Sequence, residues 1–224
     1  MAKTALLFGS TGMIGSYLLQ ELLADADFTE VKAFVRKPLS VQHPKLKSVL
    51  TDFSNLDTIK EELKGEAVFC CLGTTTAQTP DKEGRRKVDH DIPVYLAMLA
   101  EGNKVPCFII VSSVGASAGS SNFYLKNKGE METEVGKRDI KQIVFLRPSF
   151  LMGERNSSRA GEGIFTGIFR LFSPLLLGSW SKYRPVHGLT VARAMKKFAN
   201  KAEGNFVLHY NEIRQIMADQ FLRS

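Results

Sequence analysis

Cysteine is scarce in this chain, with 3 in 224 residues, and histidine nearly so, with 4. Cys70, Cys71 and Cys107 lie in strongly apolar runs, so they read as small buried hydrophobes rather than a disulfide framework, which points to a reducing compartment. His43, His90, His187 and His209 lack any paired spacing with one another or with cysteines, so no metal site is indicated. A long uninterrupted apolar run is also missing. The most apolar stretch, Ile164 to Trp180, is broken by Arg170 and Pro174, which argues against a membrane span. The first strand begins so close to Met1 that no cleavable leader is expected, and the cytoplasm is the expected location. Repeats and low-complexity tracts are absent. The formal net charge is +7, but the cations are dispersed, and clusters such as Arg85-Arg86-Lys87 and Lys196-Lys197 read as solvated helix faces. Nucleic-acid binding is therefore not expected, although the positive excess suits an anionic cofactor or substrate.

What is present is alternation. Short continuous apolar runs at Thr4 to Phe8, Val31 to Val35, Ser48 to Leu50, Ala67 to Leu72, Cys107 to Val111 and Ile143 to Leu146 read as strands covered on both faces. Helix-like spacing falls between them at Met13 to Leu23, Asn55 to Leu63, Gly84 to Glu101 and Asn122 to Val135. Repeated strand and helix predict an α/β fold with a doubly wound parallel sheet, a Rossmann fold, in one domain over residues 1–224. After Arg147 the rhythm changes to an apolar helix near Gly163 to Leu177, a helix near Leu189 to Asn200, a strand near Asn205 to His209 and a terminal helix. Residues 150–224 are expected to form a small cap on the substrate side. The stripe Phe165, Ile168, Phe169, Leu171 and Phe172 reads as a helix face packed on the core.

The first strand runs into the first helix through Gly9-Ser10-Thr11-Gly12-Met13-Ile14-Gly15. Three glycines there allow a tight turn and a close approach to a pyrophosphate, while the helix amino terminus offers unpaired N–H groups and the positive end of its dipole. Where the usual dinucleotide fold carries an acid for the ribose 2′-hydroxyl, 21 residues past Gly15, this chain has Arg36-Lys37. A guanidinium can hold a 2′-phosphate, so NADP(H) is favoured over NAD(H). Asp52-Phe53, beyond the third strand, either meets the adenine or caps the helix starting near Asn55. The small residues of Cys71-Leu72-Gly73-Thr74 at the end of the fourth strand would let backbone lie along the cofactor.

Ser112-Ser113 end the fifth strand, and Tyr124 and Lys128 follow four residues apart on one helix face. A carbonyl oxygen gains negative charge as hydride arrives, so a proton donor and hydrogen-bond donors must converge on it. Tyr124 would be the acid, with Lys128 as the cation that lowers its phenol from the usual value of about 10. Ser112 or Ser113 would orient the carbonyl.

With these pieces in this order, the sequence resembles the short-chain dehydrogenase/reductase superfamily. Cys71 to Thr75, Ser112-Ser113-Val114-Gly115-Ala116, Tyr124 to Glu130 and Arg147-Pro148 resemble, more narrowly, its atypical branch containing the Tat-interacting oxidoreductase-like proteins. The resemblance spans nearly the whole chain. It implies that Gly9 to Gly15 hold the pyrophosphate, Arg36 the 2′-phosphate and Lys128 the nicotinamide ribose, with Arg147, Pro148 and Ser149 beside the cofactor. Pro148-Ser149 departs from the Pro-Gly common in that family. Gly129, inside a helix, costs about 1 kcal/mol relative to alanine and is expected to permit close packing beside the cofactor. The implied protein is an NADP(H)-dependent oxidoreductase of a small carbonyl or alcohol, monomeric or homodimeric. The alternatives are a dinucleotide-binding regulatory protein without turnover and a nucleotide-sugar epimerase.

Overall fold

A computed structural model describes residues 3–152, 178–199 and 203–218. The expected apolar helix near Gly163 to Leu177, with its phenylalanine stripe, lies outside the described residues. Seven parallel strands form one sheet in the order β3-β2-β1-β4-β5-β6-β9. They are β1 Lys3–Phe8, β2 Phe28–Val35, β3 Leu46–Leu50, β4 Ala67–Cys70, β5 Cys107–Val111, β6 Gln142–Leu146 and β9 Gly204–Leu208. The strands alternate with helices α1 Met13–Leu23, α2 Lys82–Arg86, α3 Ile92–Gly102, α4 Phe123–Val135, α5 Gly188–Phe198 and α6 Tyr210–Ala218. This is the doubly wound Rossmann arrangement that the alternation predicts.

The strands read as continuous hydrophobic runs because each sheet face is covered. Ala5 and Leu7 of β1 point into a cluster with Leu18, Leu22 of α1 and Val191, Met195 of α5. Leu6 and Phe8, one residue out of phase, point into a second cluster with Leu96 of α3 and Met131, Val135 of α4. Phe8 stacks on Phe34 with ring centroids 4.3 Å apart, which locks β1 to β2 at the carboxyl end of the sheet.

Two helical expectations change. Asn55 to Leu63 forms only a 3-10 turn, Leu56–Ile59. The carbonyls of Lys60 and Leu63 each accept from the Asn103 side chain at 2.7 Å, which ties the end of this segment to the end of α3. The run from Gly84 to Glu101 is broken into α2, a π turn Lys87–Asp91, and α3. Pro93 explains the π turn: it has no N–H for the Asp89 carbonyl, and its ring would crowd that oxygen in an unbroken α-helix. Ile92 donates instead to the Lys87 carbonyl, and the turn carries Asp89 and His90 to buried positions.

The tail after Arg147 has two destinations. Leu151–Met152 (β7) pairs with Val186–His187 (β8) in a small separate sheet reached from the carboxyl end of β6. By contrast β9 joins β6 in register from Gln142↔Gly204 to Leu146↔Leu208, and α5 lies beside α1 over the first core cluster. That part of the tail extends the Rossmann layers.

Gly129 is demanded by close packing within the protein itself. A Cβ there would sit 2.1 Å from the Ser117 carbonyl carbon and 2.3 Å from the Ala118 nitrogen, so α4 lies against main chain of the loop after β5. Gly129→Ala gains about 1 kcal/mol of helix propensity, but it drives a methyl into backbone that cannot step aside. The net expectation is a loss of about 1–3 kcal/mol in denaturant unfolding; unchanged or increased stability would contradict this packing.

Candidate functional site

The glycines of the β1–α1 turn have separate physical reasons. Gly9 has φ +81°, and a Cβ on it would lie 2.6 Å from the Cys71 carbonyl oxygen. At Gly15 a Cβ would lie 2.0 Å from the Gly9 carbonyl oxygen, so it is needed where α1 crosses the turn. Gly12 is different: its nearest neighbour to an added Cβ is the Gly9 oxygen at 3.4 Å, so protein packing does not demand a glycine there. Among the described residues nothing else lies within 4 Å of that Cβ position. Gly12 is the N-cap of α1, no side chain caps the helix, and no acid stands in its first turn. Ser10 is 3% exposed, and its Oγ has no hydrogen-bond partner. Thr11 is exposed, Met13 half-buried and Ile14 buried.

Arg36 and Lys37 follow β2 directly and are both exposed. Asp52 is exposed too, and its Oδ1 accepts from Ser54 N at 2.8 Å and Ser54 Oγ at 2.7 Å, which holds the carboxyl below its usual range. Asn55, not Asp52, caps the following turn by accepting from Asp57 N. Phe53 adopts φ 63° and turns its ring edge to Phe8 at 6.4 Å. Beside it opens a cavity of about 580 Å³ lined by Phe53, Leu56, Lys87, Asp91 and Tyr95 among others.

On the other side of β1, Cys71 and Leu72 leave β4 half-buried, and Gly73 is exposed above the Asp89 carboxylate. The Thr74 hydroxyl is engaged with that of Thr79 at 2.8 Å. Ser112 is buried, its N–H donating to the Leu146 carbonyl at 2.7 Å while its Oγ has no partner. Ser113 donates to the Val114 carbonyl at 3.3 Å. Tyr124 is 41% exposed at the start of α4, and Lys128 one turn later is 2% exposed. Lys128 Nζ lies 3.1 Å from Asp89 Oδ1 and donates to the Val111 carbonyl at 3.4 Å. Burial pulls the ammonium toward neutrality. The charges of Asp89 and then Tyr124 outweigh it and hold the lysine above its ordinary value.

The structure thus brings Gly73 and Lys128 together around a residue the sequence reading missed, Asp89, and Ser112 directly follows Val111, whose carbonyl Lys128 also meets. The one sequence signal for Asp89 is an acid four positions before Pro93, where a π turn is forced. Three residues implied by the family resemblance have protein partners. Arg147 forms a bidentate ion pair with Glu132 of α4, Pro148 accepts from Val114 N at 2.9 Å, and the Ser149 hydroxyl donates to the Arg184 carbonyl. Among the described residues no group of three or more His, Cys, Asp or Glu could hold a metal, and no helix is long and apolar enough to cross a membrane.

A parallel sheet with strand order 3-2-1-4-5-6 and a bare glycine cradle at the β1–α1 turn define a Rossmann fold of the dinucleotide-binding kind. The chain belongs to the NAD(P)H-binding family, which it matches over residues 9–163. It is 34% identical to rat Protein HTATIP2 over 197 residues, covering 86% of this chain and 79% of the rat protein. It is also 30% identical over 202 residues to Protein FMP52, mitochondrial, of Debaryomyces hansenii, covering 88% of each. The name of this second relative places it in a compartment other than the cytoplasm expected here. Among solved structures, Bordetella bronchiseptica WbmH in complex with NAD+ superposes with TM-score 0.71 at 17% identity, covering 94% of this chain and 76% of that one. The oxidoreductase ylbE of Lactococcus lactis superposes with TM-score 0.67 at 19% identity, covering 98% and 97%. The atypical branch expected from the sequence is borne out.

All three cysteines are free. Burial pushes the Cys70 thiol up to about 11 and Cys107 to about 12, and raises Cys71 as well. Since only the thiolate is nucleophilic, a disulfide reagent at mildly alkaline pH should find no reactive thiol in the native protein and three after denaturation. Fast stoichiometric reaction of Cys70 or Cys107 in the folded state would contradict their burial.

Proposed function

We propose that this protein is an NADP(H)-dependent oxidoreductase that interconverts a small carbonyl compound and its alcohol. The observation that carries the reading is the unobstructed space over Gly12 at the uncapped amino terminus of α1, with Ser10 Oγ orphaned beside it. A Cβ-sized gap, free amides and an unpaired buried hydroxyl fit a pyrophosphate. Arg36 and Lys37 would hold the 2′-phosphate, Asp52 and Phe53 would border the adenine, and Cys71 to Thr74 would run along the cofactor. When bound, the nicotinamide supplies the hydride acceptor or donor.

The chain's own residues do the rest. Lys128, fixed and charged at the end of β5, would hold the ribose hydroxyls. Tyr124, one helical turn away and open to solvent, would pass a proton to the substrate oxygen. Of the two serines, Ser112 has its hydroxyl uncommitted whereas Ser113 is spent on Val114, so Ser112 is the better donor to the carbonyl.

Calorimetry with NADPH and NADH checks the cofactor assignment. NADPH should bind more tightly, and Arg36→Ala should shrink the gap by about tenfold, the worth of a charge-assisted hydrogen bond; equal affinities in the parent contradict it. Tyr124→Phe should lower turnover on a panel of small carbonyls by about 100-fold or more while dinucleotide affinity holds. A parent protein that turns over none of them, with affinity unaltered in the variant, would leave a binding role only.

A further inference from the structure

Lysine is a long, flexible side chain, yet Lys128 reaches the end of β5 with its side chain only 3% exposed. Its ammonium meets Asp89, itself 2% exposed, at 3.1 Å and the Val111 carbonyl at 3.4 Å. Asp89 Oδ1 has no partner other than this ammonium. Among the described residues no second cation approaches Asp89 within ion-pair distance. The two charges are therefore buried on each other's account, and either alone would be stranded.

We infer that Asp89 is a positioning residue for Lys128, pinning its ammonium at the end of β5 and balancing its charge so that dinucleotide binding is insensitive to pH. This rests on the dinucleotide reading above and deepens it. The backbone places it there: Pro93 forces the π turn that swings Asp89 inward, beneath Gly73 at the end of β4. The titratable groups facing Lys128 are Asp89 from the π turn, Cys70 from β4 and Tyr124 from its own helix. The Cys70 thiol, pushed up to about 11, is neutral over the relevant range. That leaves Asp89 as the one fixed negative charge among them near neutrality. Burial opposes the ammonium and is the largest influence on it. With Asp89 present the lysine stays charged to above its ordinary value. With the carboxylate removed, burial prevails and the lysine loses its proton as pH rises through a lowered value.

The test needs no substrate. NADPH is titrated by calorimetry from about pH 7 to pH 9.5, the interval below the ordinary lysine value, into the parent, Asp89→Asn and Lys128→Met. The parent affinity should vary by less than about twofold. Asp89→Asn should weaken as pH rises, by up to about tenfold per pH unit once the lysine discharges. Lys128→Met should be weak and flat. A folded Asp89→Asn variant that follows the parent's profile would overturn the inference while leaving the dinucleotide reading intact. A parent that binds no NADPH at any pH would overturn both. If Asp89→Asn does not fold, the double variant Asp89→Asn/Lys128→Met, which removes both charges, should recover the fold, and its failure to do so would overturn the pairing.

Discussion

Main-chain amides at the amino terminus of α1 are the constraint from which the rest of this molecule follows. The chain passes from Phe8 to Met13 through four residues, and that reversal is possible because Gly9 takes a positive φ and Gly15 lets the helix lie on the Gly9 carbonyl. The same compression leaves the first-turn N–H groups of α1 aimed outward with no side-chain cap. A helix that ends bare among buried strands invites an anion. The positive balance of the chain is consistent with such a guest, and the exposed Arg36 and Lys37 stand one strand away on the same sheet edge.

The second organising contact is the buried pair of Asp89 and Lys128, which ties the π turn to α4 across the end of β5. Arg86 reinforces the same junction through Glu130 at 2.6 Å and Asn127 at 3.3 Å. Arg147 and Glu132 tie α4 to the end of β6. The helix bearing Tyr124 and Lys128 is thus held by ion pairs on two sides and by Gly129 against main chain on a third. A rigid helix is what a site needs if its phenol and ammonium are to meet a ligand in fixed register.

Local features were legible in the sequence. β1, the glycine turn and α1 Met13–Leu23 follow from short-range spacing, and the two-faced burial of the strands follows from their unbroken apolar runs. What was not legible depends on partners far along the chain. Asn103 closes the segment after Asn55 by donating to the Lys60 and Leu63 carbonyls, and no local pattern announces it. Asp89 reads as one more charge in a polar run; Pro93, four residues on, turns it inward, but its partner Lys128 lies far along the chain on another helix. The strand near Asn205 was visible as a strand, but its pairing with β6 required knowing that the tail returns to the sheet. Gly129 was recognised as costly in a helix, while the backbone it accommodates, Ser117 and Ala118, emerged only from the packing.

The most direct test of the cradle is an amide-resolved titration of isotopically labelled protein with NADPH. The account predicts that the N–H signals of Thr11 to Gly15 shift most as the ligand saturates, with those of Arg36 and Lys37 following. Saturating dinucleotide that leaves the Thr11 to Gly15 amides undisturbed would contradict it.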